Sequence, residues 1–365
     1  MTDKKNAHKN KKDILIIDVR GASVAAAYAT LGNTVEISRV MRANFVGADA
    51  QGLVAGMTAA LEALLTPYAA LGAARVHVVL GTPWHHAKIR TIQSTSDKSA
   101  PITAHTVAER VQNYKNEAPP APGRTDIEAA AFETTVNDYP TALTHGVSGT
   151  SLGINLYESE ADTTTTEALT RTIGKHLPHA AVVWHTFPLV AAGALRVMTQ
   201  ESAFAIADFD ADVTDITVIE RGAAVYRASF PTGYRAVESA AGTDGATRLA
   251  LLGRGELSSE ESGATRAAIT PVIEAWLKDL TDTLVASADL IPIPRTVYLV
   301  TESAARDIMV ESTCQGSLGL SCSAIEAPFI QKWVTLGEAA TYDVPLSLAA
   351  VFFHIEAAQG VIYSS

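Results

Sequence analysis

Residues 204–222 read FAIADFDADVTDITVIERG, and the reading of this stretch decides the fold. An apolar run (Phe204, Ala205, Ile206, Ala207) stops at a group of acids, Asp208, Asp210, Asp212 and Asp215. A second apolar run over 216–219 follows, and Glu220-Arg221-Gly222 turns the chain into a third over 223–230. Short β-branched runs separated by turn residues predict two strands joined by a tight turn and a third strand beyond Gly222. At its plainest this is one edge of a sheet with an acidic turn.

Working outward, residues 13–19 (DILIIDV) predict a buried strand ending in Asp18. Strands over 23–30 and 34–42 follow, with Gly21 and Gly32-Asn33 at the turns, and then a helix over 51–65 ended by Thr66-Pro67. From Arg75 the character changes. A strand over 76–80 leads through Gly81-Thr82-Pro83-Trp84 to an extended stretch at 87–93, and a helix over 102–114 has Thr103 as its N-cap. A Pro/Gly loop at 117–125 precedes strands over 127–136 and 151–158, a helix over 165–176 and a strand over 180–186. Residues 146–153 (GVSGTSLG) lack the Gly-Lys-Ser/Thr of a P-loop and are read as a turn. Beyond the hairpin, a helix over 236–252 breaks near Gly242 and Gly245. A long helical pattern over 261–288 contains Pro271, which predicts a kink or restart. A strand over 296–300 and a helix over 347–359 complete the reading.

Asp208, Thr214, Asp215 and Ile216 match the spacing of the second phosphate loop of the actin-like ATPases, D-[IV]-G-x-x-x-T-D-[IV]-x-[VI], and Phe230-Pro231-Thr232-Gly233 resembles the F-P-x-G that follows it. The β-β-β-α opening resembles the first phosphate loop. The strand–helix–strand–strand order with Asn137-Asp138-Tyr139-Pro140-Thr141 resembles the subdomain inserted in the FtsA/PilM branch, whose members serve cell division and type IV pilus assembly. The resemblance implies an α/β, actin-like (ribonuclease H-like) fold of two domains flanking a cleft. Residues 1–12, polar and basic with nothing to bury, read as a disordered tail, and the resemblance implies a first domain at 13–74, 187–203 and 332–365, an insertion at 75–186 and a second domain at 204–331. A working member would hold ATP through Asp18, Gly21, Asp208, Thr214, Asp215 and Ser303, with Mg on Asp18 and Asp208 acting in catalysis.

Three departures bear on that chemistry. Actin-like sites depend on glycines that let backbone N–H groups approach the phosphates. Here Arg20 stands at the glycine of the first loop and Ala25 at its lysine, Asp210 replaces the glycine of the second loop, and the adenosine turn reads Val300-Thr301-Glu302-Ser303-Ala304. A carboxylate about 4 Å from a phosphate oxygen repels it by about 1 kcal/mol in water and by several times that in a partly dry cleft. Arg20 either pairs with Asp210 across an abandoned site or grips a phosphate itself.

The formal charge of −11 over 365 residues argues against a nucleic-acid binder. Cys314 and Cys322 are too few for a disulfide framework and suit thiols of a reducing compartment. No run is long enough for a membrane span and no signal peptide opens the chain, so the expected location is cytoplasmic, at the inner membrane through partners. Trp84-His85-His86 on an extended segment places the histidines on opposite sides and reads as a solvated pair. Trp84 itself either anchors an added partner strand at 87–93 or fills the insertion's core. The resemblance implies a degenerate, PilM-like pseudo-ATPase scaffold that receives a short cytosolic segment of a membrane assembly protein, with self-association possible. The alternative is an active FtsA/PilM-like ATPase. The end of the chain at 352–365 lacks the cationic amphipathic helix of the division role.

Overall fold

The structure, a computed structural model of the chain, describes residues 12–142, 146–288, 291–314 and 319–359. The basic tail expected at 1–12 lies outside the described residues, save Lys12. The opening strands are β1 (Lys12–Val19), β2 (Ser23–Leu31) and β3 (Val35–Asn44), followed by helix α1 (Ala50–Leu65), whose N-cap Asp49 accepts the N–H of Gly52. Next come β4 (Arg75–Leu80), β5 (His85–Ile102), α2 (Ala104–Glu117), β6 (Arg124–Val136), β7 (Tyr139–Pro140) and β8 (Val147–Asp162). The chain continues through α3 (Thr163–His176), β9 (Ala181–Thr186), α4 (Phe187–Thr199), β10 (Ala203–Phe209), β11 (Thr214–Glu220) and β12 (Ala223–Phe230). It then runs through α5 (Tyr234–Ala240), α6 (Gly245–Gly253), α7 (Ser259–Ser287), β13 (Thr296–Val300) and α8 (Arg306–Cys314). The last elements are β14 (Ser321–Ala324), α9 (Ala327–Ile330), β15 (Val334–Ala339) and α10 (Val344–Gln359).

Three sheets organise these elements. The first runs β15-β3-β2-β1-β4-β9 and the second β12-β11-β10-β13-β14. Each contains an antiparallel meander (β1-β2-β3, β10-β11-β12) whose first strand pairs in parallel with the strand after a crossover, β4 or β13. The hairpin expected at 204–222 is therefore the start of the second meander. Arg221 and Gly222 both take positive φ, +51° and +77°, which gives the turn between β11 and β12 the twist that antiparallel strands favour.

The third sheet, β5-β8-β6-β7, is antiparallel, with α2 against its far end through Val107 and Val111. The expected insertion of 75–186 is narrower in the structure. β4 and β9 are interior and edge strands of the first sheet, and α3 packs on α1. Parallel pairing to β1 buries β4 completely from Val76 to Leu80, which a buried apolar run cannot distinguish from a strand of the insertion. Residues 146–153 are likewise not a turn. β8 starts at Val147 and pairs with β5 across Gly149 and Gly153, where a Cβ would run into Val136 and Thr135.

α7 keeps to one helix across Pro271, which sits on its exposed face so that the carbonyl it frees meets water. Its buried face (Thr265, Ile269, Ile273, Trp276, Leu280, Leu284, Ser287) repeats at three- and four-residue steps against the second sheet. α4 and α10 cross closely behind the first sheet. A Cβ on Gly193 would meet the Phe352 ring at 2.6 Å, so only glycine allows this approach. Among the described residues no helix is long and apolar enough to cross a membrane.

Candidate functional site

The two meanders put their acidic ends face to face. β1 delivers Asp18 and the turn Arg20-Gly21-Ala22; β10 delivers Asp208 and the turn at Asp210; β11 delivers Thr214 and Asp215; the segment after β13 delivers Thr301, Glu302 and Ser303. Asp18, Arg20, Gly21, Asp208 and Asp210 meet across this cleft and Glu302 joins them through Ser23, whereas Ala25, Val300, Ile216 and Phe230 lie in the hydrophobic cores.

Arg20 occupies its centre, with 3% of its surface exposed. Its Nε donates to both oxygens of Asp18 at 3.1 and 3.2 Å, and its Nη1 donates to Asp208 Oδ1 at 2.6 Å, across the cleft. The guanidinium lies 3.7 Å over the Phe187 ring. Burial works against this charge, but the carboxylates of Asp18, Asp208, Asp210 and Glu302 outweigh it and hold Arg20 firmly protonated.

The expected Arg20–Asp210 pair is not formed as such. Asp210 instead accepts the backbone N–H of Gly21 at 3.1 Å and that of Ala211 at 2.6 Å. Its own backbone N–H closes the turn onto Val213, and its carbonyl meets Tyr234 N–H. The reason is reach. Asp208, two residues earlier on β10, lies on the face that looks at Arg20, while Asp210 has left the strand and lies beside the amides of both turns. Burial pushes Asp210 up to about 8, with Arg20 opposing and Asp208 and Glu302 adding to the rise. Burial likewise raises Asp208 to about 6, against the opposing charge of Arg20.

On the other side of the cleft, Arg42 from β3 pairs with Asp18 (3.1 Å), Asp343 (2.9 Å) and Glu302. Ser23 donates to Glu302 at 2.8 Å while accepting from Arg42 at 2.6 Å. Tyr234 also donates to Glu302, and Ser303 donates to Glu238 at 3.0 Å. Asp215 accepts from Thr82 and, at 2.7 Å, from Arg227, whose Nη2 lies 3.2 Å from His85 Nε2. Thr214 is fixed between the Thr232 carbonyl and the indole N–H of Trp276 at 2.9 Å.

These contacts decide the fit of a magnesium nucleotide. The acids that would hold the metal, Asp18 and Asp208, are already paired to a buried guanidinium between them. The amides that would meet phosphate oxygens, Gly21 and Ala211, already serve a carboxylate. Glu302 lies at the adenosine turn. Among the described residues no cluster of three or more His, Cys, Asp or Glu is arranged to hold a metal ion. The side chains do not fit the group: Arg20, Arg42 and the amides of Gly21 and Ala211 already have carboxylate partners, although Arg20 Nη2 is buried without a hydrogen-bond partner among the described residues and the Ser303 N–H serves the Thr301 hydroxyl.

Two sequence expectations change here. Trp84 is no exposed anchor; it is 7% exposed, 6.2 Å from the Phe45 ring, and its indole N–H donates to the Arg20 carbonyl at 2.7 Å. His85 is buried rather than solvated, and burial together with Arg227 lowers it to about 4, while His86 faces outward. The opposed histidines follow from strand alternation, but which side was interior depended on β12 lying against the start of β5. Sequence reasoning missed Arg42, Asp343, Arg227, Thr82 and Phe187. They come from separate parts of the chain (β3, the residue before α10, β12, the turn after β4 and the start of α4), and none lies within the phosphate or adenosine motifs.

No family model matches the chain, and no curated protein matches it. Among solved structures, the chain is similar to that of a "PilM-PilN type IV pilus biogenesis complex", at 13% identity and TM-score 0.63, covering 94% of this chain and 98% of that one. A protein of Bacteroides thetaiotaomicron with an actin-like ATPase fold matches at 11% identity and TM-score 0.40, over 97% and 99% of the two chains. The ethanolamine utilization protein EutJ from Carboxydothermus hydrogenoformans matches at 13% and TM-score 0.43, over 93% and 88%. The fold is actin-like: two domains of like topology, an intervening cleft, and an inserted antiparallel sheet.

Proposed function

We propose that this actin-like chain is a scaffold of a type IV pilus or related envelope machine, with a nucleotide site closed by its own side chains. It sits in the cytoplasm at the inner membrane, through a short cytosolic segment of a membrane partner. The likeness to the solved pilus complex, which spans nearly the whole of both chains, supports the placement in such a machine. The observation that carries the loss of ATP chemistry is Arg20, buried between Asp18 and Asp208 where a metal-bound phosphate would otherwise sit. The partner segment would add along β5, the terminal strand of the inserted sheet. β5 pairs only with β8 among the described residues, so its outer edge offers backbone groups for strand addition. Trp84 has no part in that docking.

Calorimetry of the full chain with ATP and magnesium tests the reading. The expected result is no binding tighter than about 1 mM, equivalent to about −4 kcal/mol. A micromolar dissociation constant would overturn the closed-site scaffold and favour the working FtsA/PilM-like ATPase.

A further inference from the structure

Thr186 and Phe187 are consecutive residues with unrelated partners. Thr186, the N-cap of α4, is gripped from the insertion. Glu128 of β6 accepts its backbone N–H at 2.8 Å and also its hydroxyl, and Tyr157 of β8 lies 2.7 Å from the same hydroxyl oxygen. A threonine hydroxyl has one proton, here given to Glu128, so Tyr157 must donate to Thr186. Glu128 also faces His185 Nδ1 at 3.5 Å, and His185 Nε2 meets His77 Nδ1 at 3.1 Å. Phe187 points the other way, its ring fully buried beneath the Arg20 guanidinium. A second junction runs parallel to it. His85, the first residue of β5, touches Arg227, which pairs with Asp215 at the cleft.

We propose that the Thr186–Phe187 step couples the inserted sheet to the cleft, so that a partner shifting the insertion changes the support under Arg20, and a change in the cleft shifts the insertion. The coupling belongs to the inserted sheet's seat on the first domain and holds whether or not the cleft takes nucleotide. Three features favour transmission over mere packing. Glu128 and Tyr157 are buried and come only from the insertion. Thr186 has no side-chain cap of its own on α4, so its rotamer is set by those two residues. The peptide linking Thr186 to Phe187 opens α4, so the residue held by the insertion and the ring beneath Arg20 are adjacent in one helix start. Reciprocity follows from thermodynamic linkage between the two sites.

Hydrogen exchange of the full chain tests this through the amides of Gly21 and Ala211, which report on the cleft and touch neither Glu128 nor Tyr157. Tyr157→Phe, the milder change, and Glu128→Gln are each expected to raise exchange at both cleft amides on the order of tenfold, the equivalent of about 1.4 kcal/mol of lost support. Phe187→Leu should do the same, and combining it with Tyr157→Phe should add little. Tyr139→Ala, at an insertion position 76% exposed, should leave the cleft amides at the wild-type rate. Faster exchange confined to α4 and β6, with Gly21 and Ala211 unchanged in Tyr157→Phe, would overturn the coupling. So would additive effects of Tyr157→Phe and Phe187→Leu.

Discussion

Replacing Arg20 with methionine keeps the unbranched stem and removes the guanidinium with all of its donors. Asp18 retains Arg42 at 3.1 Å, but Asp208 loses its cation partner. Breaking a buried pair from one side costs about 3–5 kcal/mol, and the lost cation over Phe187 adds about 0.5–2 kcal/mol. Proton uptake by Asp208 limits that cost. Burial already raises its carboxyl to about 6 with Arg20 at 2.6 Å, and removing the arginine raises it further. A raised acid binds its proton in the folded chain at pH values where the unfolded chain has released it. The variant's deficit is therefore full above its own, higher folded pKa and shrinks, by up to about 1.4 kcal/mol per pH unit, as pH falls toward about 6, where wild-type Asp208 takes up its proton as well. Urea denaturation should show Arg20→Met weaker by about 3–5 kcal/mol at pH 8, with the gap narrowed by about 1–2 kcal/mol at pH 5. Arg20→Met/Asp208→Asn should recover at least about 1 kcal/mol of the loss at pH 8, and Arg20→Met/Asp210→Asn less, because Asp210 bonds to amides. Additivity within about 0.5 kcal/mol in the Asp208 cycle would refute the pairing.

Asp210, raised to about 8 by burial, should lower stability as pH climbs from about 4 to 8, so Asp210→Asn gains on the wild type across that range. A pH-independent difference in urea denaturation from pH 5 to 9 would mean that its two N–H bonds offset burial. Trp84→Ala should destabilise by about 3–5 kcal/mol, as for a buried aromatic, and also leave the Arg20 carbonyl without its indole donor. A loss under about 1 kcal/mol by the same measurement would place Trp84 at the surface after all.

The two meanders were legible because their information is local. Period-2 runs, turn residues and the acids at strand ends are all written within twenty residues of one another, and Asp18 and Asp208 come together on Arg20. The long α7 was legible for the same reason, its apolar steps being continuous on either side of Pro271. What escaped was pairing across the fold. Nothing local says that Arg20 turns to Asp208 rather than Asp210, since that depends on how two distant hairpins meet. Nothing local shows that Arg42 pairs both with Asp343, 301 positions away, and with Glu302. The insertion's limits failed where a parallel strand, β4, carries an apolar run indistinguishable from its neighbours.

The first sheet ends at β15, and its helix layer contains α10, both drawn from the far end of the chain, while the second sheet comes from one unbroken stretch. During synthesis β1 to β4 therefore emerge with an edge and a face that β15 and α10, made much later, come to cover. β3 waits for Val334 to Leu336, and Gly193 waits for Phe352. The second domain has all of its strands once Ser321–Ala324 has left the ribosome. The half of the molecule made first is thus the half that can be completed last, and until then its apolar strands stand open to whatever else is nearby.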